Sequence, residues 1–237
     1  MATIEYGQRV IVMLRIGHRG ACGYEPENTL RSFNRALQLR VDMVELDVHV
    51  CRSGEIVVIH DSKVDRTTGG TGYVADKTLD ELRTLDAGKG EKIPTLQEVL
   101  ALVNRKVKVN IELKGTGTAK PVFQLLEKHV REFGWSYGDF LISSFNHDEL
   151  KEFRRLSKEF SIGVLTIDIP TGFVEFVEKI GAYSVNVWVE SISRELVDDA
   201  RRRGIRVFVW TVDDRDDIER MRSLGVDGIF SNYPDRL

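Results

Sequence analysis

Seven ionisable residues, grouped in a few short stretches, hold the chemistry this sequence could perform. Glu45 and Asp47 stand two apart in the run Met43–Val50, which is otherwise built mainly from Val and Leu. Side chains at that spacing share one face of a strand. Two carboxylates on one face of a buried strand repel each other unless something positive lies between them. Glu112 stands near the end of a similar run, Val107–Leu113, with Lys114 on the same face. Three carboxylates from two strands suit a hard divalent cation with oxygen ligands, Mg²⁺ or Ca²⁺. The bland alternative is surface carboxylates, or ion pairs with Arg19 and Lys114. His18 and His60 each end a different strand. A lone histidine is most often structural, but two near carboxylates and an Arg–Lys pair suit general acid–base work on a phosphate ester. Arg19 and Lys114 would neutralise the phosphate oxygens, Arg through its planar fork and Lys as a point charge.

The elements that must position these residues alternate along the chain. Val10–Ile16, Met43–Val50, Ile56–Ile59, Val107–Leu113, Phe140–Ser143, Ile162–Thr166, Ser184–Val187, Arg206–Trp210 and Gly228–Ser231 read as strands. Helical patterns at Thr29–Leu39, Thr95–Val103, Lys120–Phe133, Asp148–Glu159, Phe173–Ile180, Arg194–Arg203 and Asp216–Leu224 separate most of them. Thr95 with Glu98 makes a capping box, and Gly181, Gly204 and Gly225 stand where helices should stop. Such alternation predicts an α/β fold with a parallel sheet and outer helices. The strand count and length fit one TIM (β/α)8 barrel, a single domain over residues 1–237. Ile56–Ile59 is one strand too many; it either joins the barrel or pairs beside it. Ser62–Lys92 breaks the rhythm and reads as a small insertion, at about 62–92, after the second strand region, with one short helical pattern at Leu79–Leu85. Polar residues gather at the C-terminal ends of the strands, the face that bears the active site in such barrels. His49 continues the Glu45–Asp47 alternation and is expected beyond the rim, toward solvent or the insertion. Met1–Gln8 has no apolar pattern and is expected to be loosely held.

Composition narrows the function classes. The chain has 237 residues, 42% of them hydrophobic, and a net charge of −3. That supports a real core, and no basic stripe suggests a nucleic-acid partner. No apolar run is long enough to span a bilayer, and no signal peptide is visible, so stable membrane insertion is not expected and a cytoplasmic location is. Cys22 and Cys51 follow neighbouring strands and could approach each other near the mouth. In a reducing compartment two free thiols are the expected state.

The motifs that frame these residues resemble those of the glycerophosphodiester phosphodiesterases. His18-Arg19-Gly20 followed by Pro26-Glu27-Asn28-Thr29 resembles the family's opening signature, and Glu45-Leu46-Asp47-Val48 its paired-carboxylate strand. His60-Asp61 with Asp65-Arg66-Thr67-Thr68, then Ile93-Pro94-Thr95-Leu96, Glu112-Leu113-Lys114, Ser144-Phe145, Trp210-Thr211-Val212 and Gly225-Val226-Asp227-Gly228-Ile229 follow in the family order. The likeness runs from Ile16 to Pro234. It implies a TIM barrel with a small insertion after the second strand, and metal-dependent hydrolysis of glycerophosphodiesters to glycerol 3-phosphate and an alcohol. It implies His18 and His60 as the acid–base pair, Glu45, Asp47 and Glu112 around the metal, and Arg19 and Lys114 on the phosphate. Trp210 and Phe145 would line the substrate side, and Glu27 would order the first loop or, as the lesser alternative, touch the metal. The chain departs from the pattern at Asp213, where Asn is common, and at Asn232, where Asp is common. Cys51 and Ser53 also depart from it, standing where Thr and Asp are usual. A lysophospholipase D-like activity is an alternative; it would need an apolar channel, and the short insertion offers little to build one. A non-catalytic phosphate-binding barrel is the other, and its mark would be a missing histidine or carboxylate.

Overall fold

The computed structural model describes residues 13–237. Expectations for Met1–Gln8 and for the strand's start at Val10 therefore lie outside the described residues. Eight parallel strands close into a ring. They are β1 (Leu14–Gly17), β2 (Met43–Val50), β4 (Lys108–Leu113), β5 (Phe140–Ser144), β6 (Ser161–Thr166), β7 (Ser184–Trp188), β8 (Arg206–Trp210) and β9 (Gly228–Ser231). β1 pairs with both β2 and β9, which is the closure. The extra strand, β3 (Ile56–Val58), stands outside the ring. It runs antiparallel to the last residues of β2, pairing Val48–Val50 with Ile56–Val58. The barrel consumes only the first part of β2; the rest projects past the rim and folds back as a hairpin.

The helices pack outside. They are α1 (Leu30–Gln38), α2 (Leu79–Thr84), α3 (Leu96–Val103), α4 (Ala119–Glu132), α5 (His147–Leu156), α6 (Phe173–Lys179), α7 (Arg194–Arg202) and α8 (Arg215–Leu224). Their starts are chemical: Thr29 accepts from Ser32 N, and Thr95 and Glu98 form the expected capping box. α8 closes on Gly225 at φ 73°, a left-handed position that glycine takes without steric cost. The outward strand residues Val44, Leu46, Val109, Ile111, Val185 and Val207 are buried in one cluster with the inner helix faces. Each such side chain contributes about 1.5–3 kcal/mol on burial.

The inward residues form two levels. Ile16, Met43, Leu141, Phe208 and Phe230 pack together as an apolar floor. Continuing up the same faces, β2 adds Glu45 and Asp47, and β4 adds Asn110 and Glu112 in register with them. Charges in the middle of a parallel barrel have no packing reason to be there. Between β3 and α3 the chain builds a separate small core. Cys51, Val57, Ile59, Val64, Val74, Leu82, Ala87 and Ile93 are buried there, with α2 across the top.

Candidate active site

β1 ends at Gly17 and the chain turns sharply. Arg19 takes φ 49° and Gly20 φ 87°. A Cβ on Gly20 would lie 2.5 Å from Ser32 Oγ, so only glycine lets this turn press onto α1. The turn aims Arg19 into the barrel. Its amide donates to Glu45 Oε2 at 2.8 Å, and Nη1 donates to Glu27 Oε1 at 2.8 Å. Its buried Nε lies 3.5 Å from Asp47 Oδ2 but makes no hydrogen bond. A guanidinium edge is thus left over for an anion.

Glu45, Asp47 and Glu112 are buried, and one oxygen of each lies within 4.8 Å of the others. Burial, then the charges of Asp47 and Glu112, push Glu45 well above the usual carboxylate range. Burial and the charge of Asp47 push Glu112 up to about 7, although Lys114 Nζ stands 3.0 Å away. Asn110 lines the same cavity, and its buried Oδ1 lacks any partner. A dry cluster of hard oxygen donors beside an unused carbonyl fits a divalent cation, which would relieve the repulsion that raises both acids. Asn28, left-handed at φ 58°, donates to Asp47 Oδ2 at 2.9 Å and fixes one edge of the cluster.

The two histidines sit in different surroundings. His18 is half-buried, and its Nδ1 lies 2.7 Å from Asn232 Oδ1. Burial, with help from the Arg19 charge, lowers its pKa to about 4. His60 follows β3, and its Nδ1 lies 2.5 Å from Asp61 Oδ1. Arg66 donates to both oxygens of Asp61 and, at 2.8 Å, to both oxygens of Glu27. That chain of charges ties Arg19 on one wall to His60 on the other. It holds Asp61 well below the usual range, chiefly through hydrogen bonds from Arg66. Burial would raise Glu27, but Arg66 and Arg19 outweigh it and bring Glu27 down to about 2. On its other side, His60 Nε2 lies 3.1 Å from Lys114 Nζ.

His18, Arg19, Glu45, His60, Glu112, Lys114, Phe145 and Trp210 line one cavity of about 380 Å³, together with Asn110, Leu165 and Phe230. Asp47 lies in the carboxylate cluster that this cavity meets. Phe145 and Trp210 meet edge to face at 5.3 Å, and Trp210 Nε1 donates to Asn186 O at 3.0 Å. The structure thus brings the candidate catalytic, phosphate-binding, metal-binding and substrate-lining residues together. Of the two surroundings expected for His49, solvent or the insertion, the structure shows the second: it is buried against the chain that leads into the insertion, its Nε2 3.1 Å from the His60 carbonyl. The cause is the β2–β3 hairpin, which folds over this face of β2. Cys22 and Cys51 are free thiols in separate surroundings, one beside His18 and Asn232, the other beside Ser53 and Glu55. Asn28, Asp61, Arg66, Asp213 and Asn232 were not singled out as site residues, although Asn28, Asp61 and Arg66 lie inside the quoted motifs.

Fold and site together define a TIM-barrel enzyme whose mouth is built to receive an anionic ester. Residues 18–236 match the glycerophosphoryl diester phosphodiesterase family. A glycerophosphodiester phosphodiesterase of Caldanaerobacter subterraneus subsp. tengcongensis is 41% identical, over 94% of this chain and 96% of its own. A phosphodiesterase of Oleispira antarctica, solved in complex with its product sn-glycerol-3-phosphate, is 30% identical with a TM-score of 0.86, covering 93% of each chain. The glycerophosphodiester phosphodiesterase of Thermotoga maritima is 31% identical with a TM-score of 0.78, covering 97% of each chain. The chain belongs to the glycerophosphodiester phosphodiesterase family and is an enzyme that hydrolyses glycerophosphodiesters.

Proposed function

We propose that this enzyme releases glycerol 3-phosphate and a free alcohol, with His18 as general base and His60 as general acid. The supporting observation is the contrast between the two rings across one cavity. His18 faces a neutral amide and is kept uncharged by burial and Arg19, so it can accept a proton at neutral pH. His60 Nδ1 meets the Asp61 carboxylate, which fixes the ring so that Nε2 faces the cavity. Arg19 Nε and Lys114 Nζ point charge at the place a phosphate would occupy. A phosphate there would take over Lys114, leaving His60 Nε2 to carry the proton for the departing alcohol. The nucleophile that His18 deprotonates is either water or the neighbouring glycerol hydroxyl. Glu45, Asp47 and Glu112 would hold Mg²⁺ or Ca²⁺. When bound, that ion would supply positive charge against the phosphoryl oxygens. The deciding assay is release of glycerol 3-phosphate with and without chelator, across several head groups. Turnover unaffected by chelation would overturn the metal assignment.

A second reading has its own observation. An open groove adjoins the cavity through the shared Phe145 and Leu165, lined by Ile167, Pro170, Phe173 and Phe176 together with the polar His147 and Asp168. The loop between β6 and α6, not the insertion, forms this groove. Such a groove would accept an acyl chain, giving the lysophospholipase D-like activity. Comparing kcat/KM for a lysophospholipid and its deacylated counterpart tests it; preference for the deacylated ester removes this reading. We also read residues 1–237 as one barrel domain with its cap at about 62–92. No helix among the described residues is long and apolar enough to cross a membrane. A cytoplasmic location remains our reading on the sequence alone.

A further inference from the structure

Behind His18 lies a second pair of residues. Asp213 follows β8, and Asn232 follows β9. Asp213 Oδ1 accepts from the Asn232 amide and from Ser231 Oγ, both at 2.8 Å. Asp213 Oδ2 accepts from Asn232 Nδ2 at 2.5 Å. A carboxylate only accepts, so the NH₂ end of Asn232 must face Asp213. Asn232 Oδ1 therefore points the other way, where it meets His18 Nδ1 and Cys22 Sγ, each at 2.7 Å. An amide oxygen also only accepts, so His18 Nδ1 must carry its hydrogen. The lone pair of the neutral ring then falls on Nε2, which makes no hydrogen bond among the described residues.

We propose that Asp213 is a positioning residue that acts through Asn232 to lock His18 as the Nδ1–H tautomer with Nε2 free to take a proton. The assignment of Nε2 as the working base rests on the reading of His18 given above; the tautomer itself does not. Asp stands at 213 and Asn at 232, so the charge of this pair stands one residue removed from His18.

The lock has a specific failure mode. In Asp213→Asn the new NH₂ would face Asn232 Nδ2, two donors against each other. Asn232 relieves this by turning over, which presents its own NH₂ to His18 Nδ1. The ring must then accept at Nδ1 and carry its hydrogen on Nε2, the wrong tautomer for the base. The exchanged pair Asp213→Asn with Asn232→Asp restores an accepting oxygen opposite His18 Nδ1, now a carboxylate's, with an amide behind it.

The test uses full-length enzyme labelled with ¹⁵N-histidine. Nitrogen chemical shifts should show His18 protonated on Nδ1 in wild type, on Nε2 in Asp213→Asn, and on Nδ1 again in the exchanged pair. The Asp213→Asn enzyme should lose about 10²-fold in kcat with KM little changed, the size seen when a partner that fixes a histidine is removed. The exchanged pair should recover most of that loss. An Nε2–H tautomer in wild type overturns the proposal, and so does an Asp213→Asn enzyme with unchanged shifts and unchanged kcat. Should the single variant fail to fold, the wild-type spectrum and the exchanged pair still decide it. If the shifts behave as expected while His18→Ala keeps its turnover, the lock stands and the reading of His18 as base fails.

Discussion

Asp47 and Glu112 stand paired in register on β2 and β4, both buried, with their carboxylates in one cluster. Neither neighbouring lysine nor arginine neutralises the cluster fully, since Glu45 and Glu112 remain raised. Removing one charge should therefore weaken a divalent cation sharply. Calorimetric titration of Mg²⁺ and Ca²⁺ should give Asp47→Asn an affinity at least tenfold below wild type. Saturating wild type at about 100 times Kd should add about 2.7 kcal/mol of stability. Equal affinity in the two proteins would remove Asp47 from the ligand set.

The same cluster makes the metal-free enzyme sensitive to pH. Glu112 has a folded pKa of about 7 against an ordinary 4.5. A raised folded pKa means the native state holds its proton more tightly than the unfolded chain. The contribution is full below about 4.5 and is lost as pH rises through about 7. His18, whose folded pKa is lowered, works in the opposite sense over part of that range. The informative quantity is thus the difference between wild type and Glu112→Gln after chelation. Relative to the variant, wild type should lose Tm as pH rises from about 4.5 to about 7, and a divalent ion should restore it. A flat difference would contradict the raised value.

Single replacement of His18 or His60 by Ala should lower kcat by roughly 10²–10⁴. The double variant should be little worse than the worse single, because groups acting as a unit are not additive. The rates on a nitrophenyl ester separate the roles. That leaving group needs little protonation, so it should partly rescue His60→Ala and not His18→Ala. Rescue of the opposite variant would exchange the two assignments.

His49 gives a control within the same strand. It continues the face of Glu45 and Asp47, yet its ring supports the His60 carbonyl. In His49→Ala the affinity for divalent ion should match wild type while kcat falls about tenfold, the scale of a supporting contact. A loss of metal affinity would place His49 in the ligand set.

Cys22 and Cys51 should titrate as two free thiols under denaturing, non-reducing conditions. Burial pushes Cys22 up to about 12, so in the native enzyme it should react slowly with alkylating reagents. Fewer than two thiols would indicate a bridge.

Much of this site was legible because its signals are local. Glu45 and Asp47 are anomalous within a strand of buried apolar residues, and His18, His60 and Glu112 fall at or near strand ends, a pattern that needs no tertiary knowledge. The capping box at Thr95 is likewise a matter of neighbours in the chain. What sequence could not supply are the partners set by closure. His18 and Asn232 are 214 residues apart and meet only because β9 returns beside β1. Arg66 sits in the insertion, and nothing in its surroundings along the chain reveals that it reaches Glu27, 39 residues away. For His49 alternation gave the face of the strand but not whether solvent or the insertion covers it.

The projecting end of β2 has a consequence for how this enzyme ages and fails. His18 is mounted on the barrel, while His60 follows directly from the small core of Val57, Ile59, Val64, Val74, Leu82 and Ile93. The two histidines proposed as base and acid are thus supported by different bodies of packed hydrocarbon. Erosion of the smaller one, through a cavity at Leu82 worth about 2–5 kcal/mol, would silence turnover while the barrel stays folded. Heat should do the same, so that activity is lost some degrees before the bulk structure melts. Selection can for the same reason tune the placement of His60 through cap residues far from any substrate, without touching the scaffold that holds everything else.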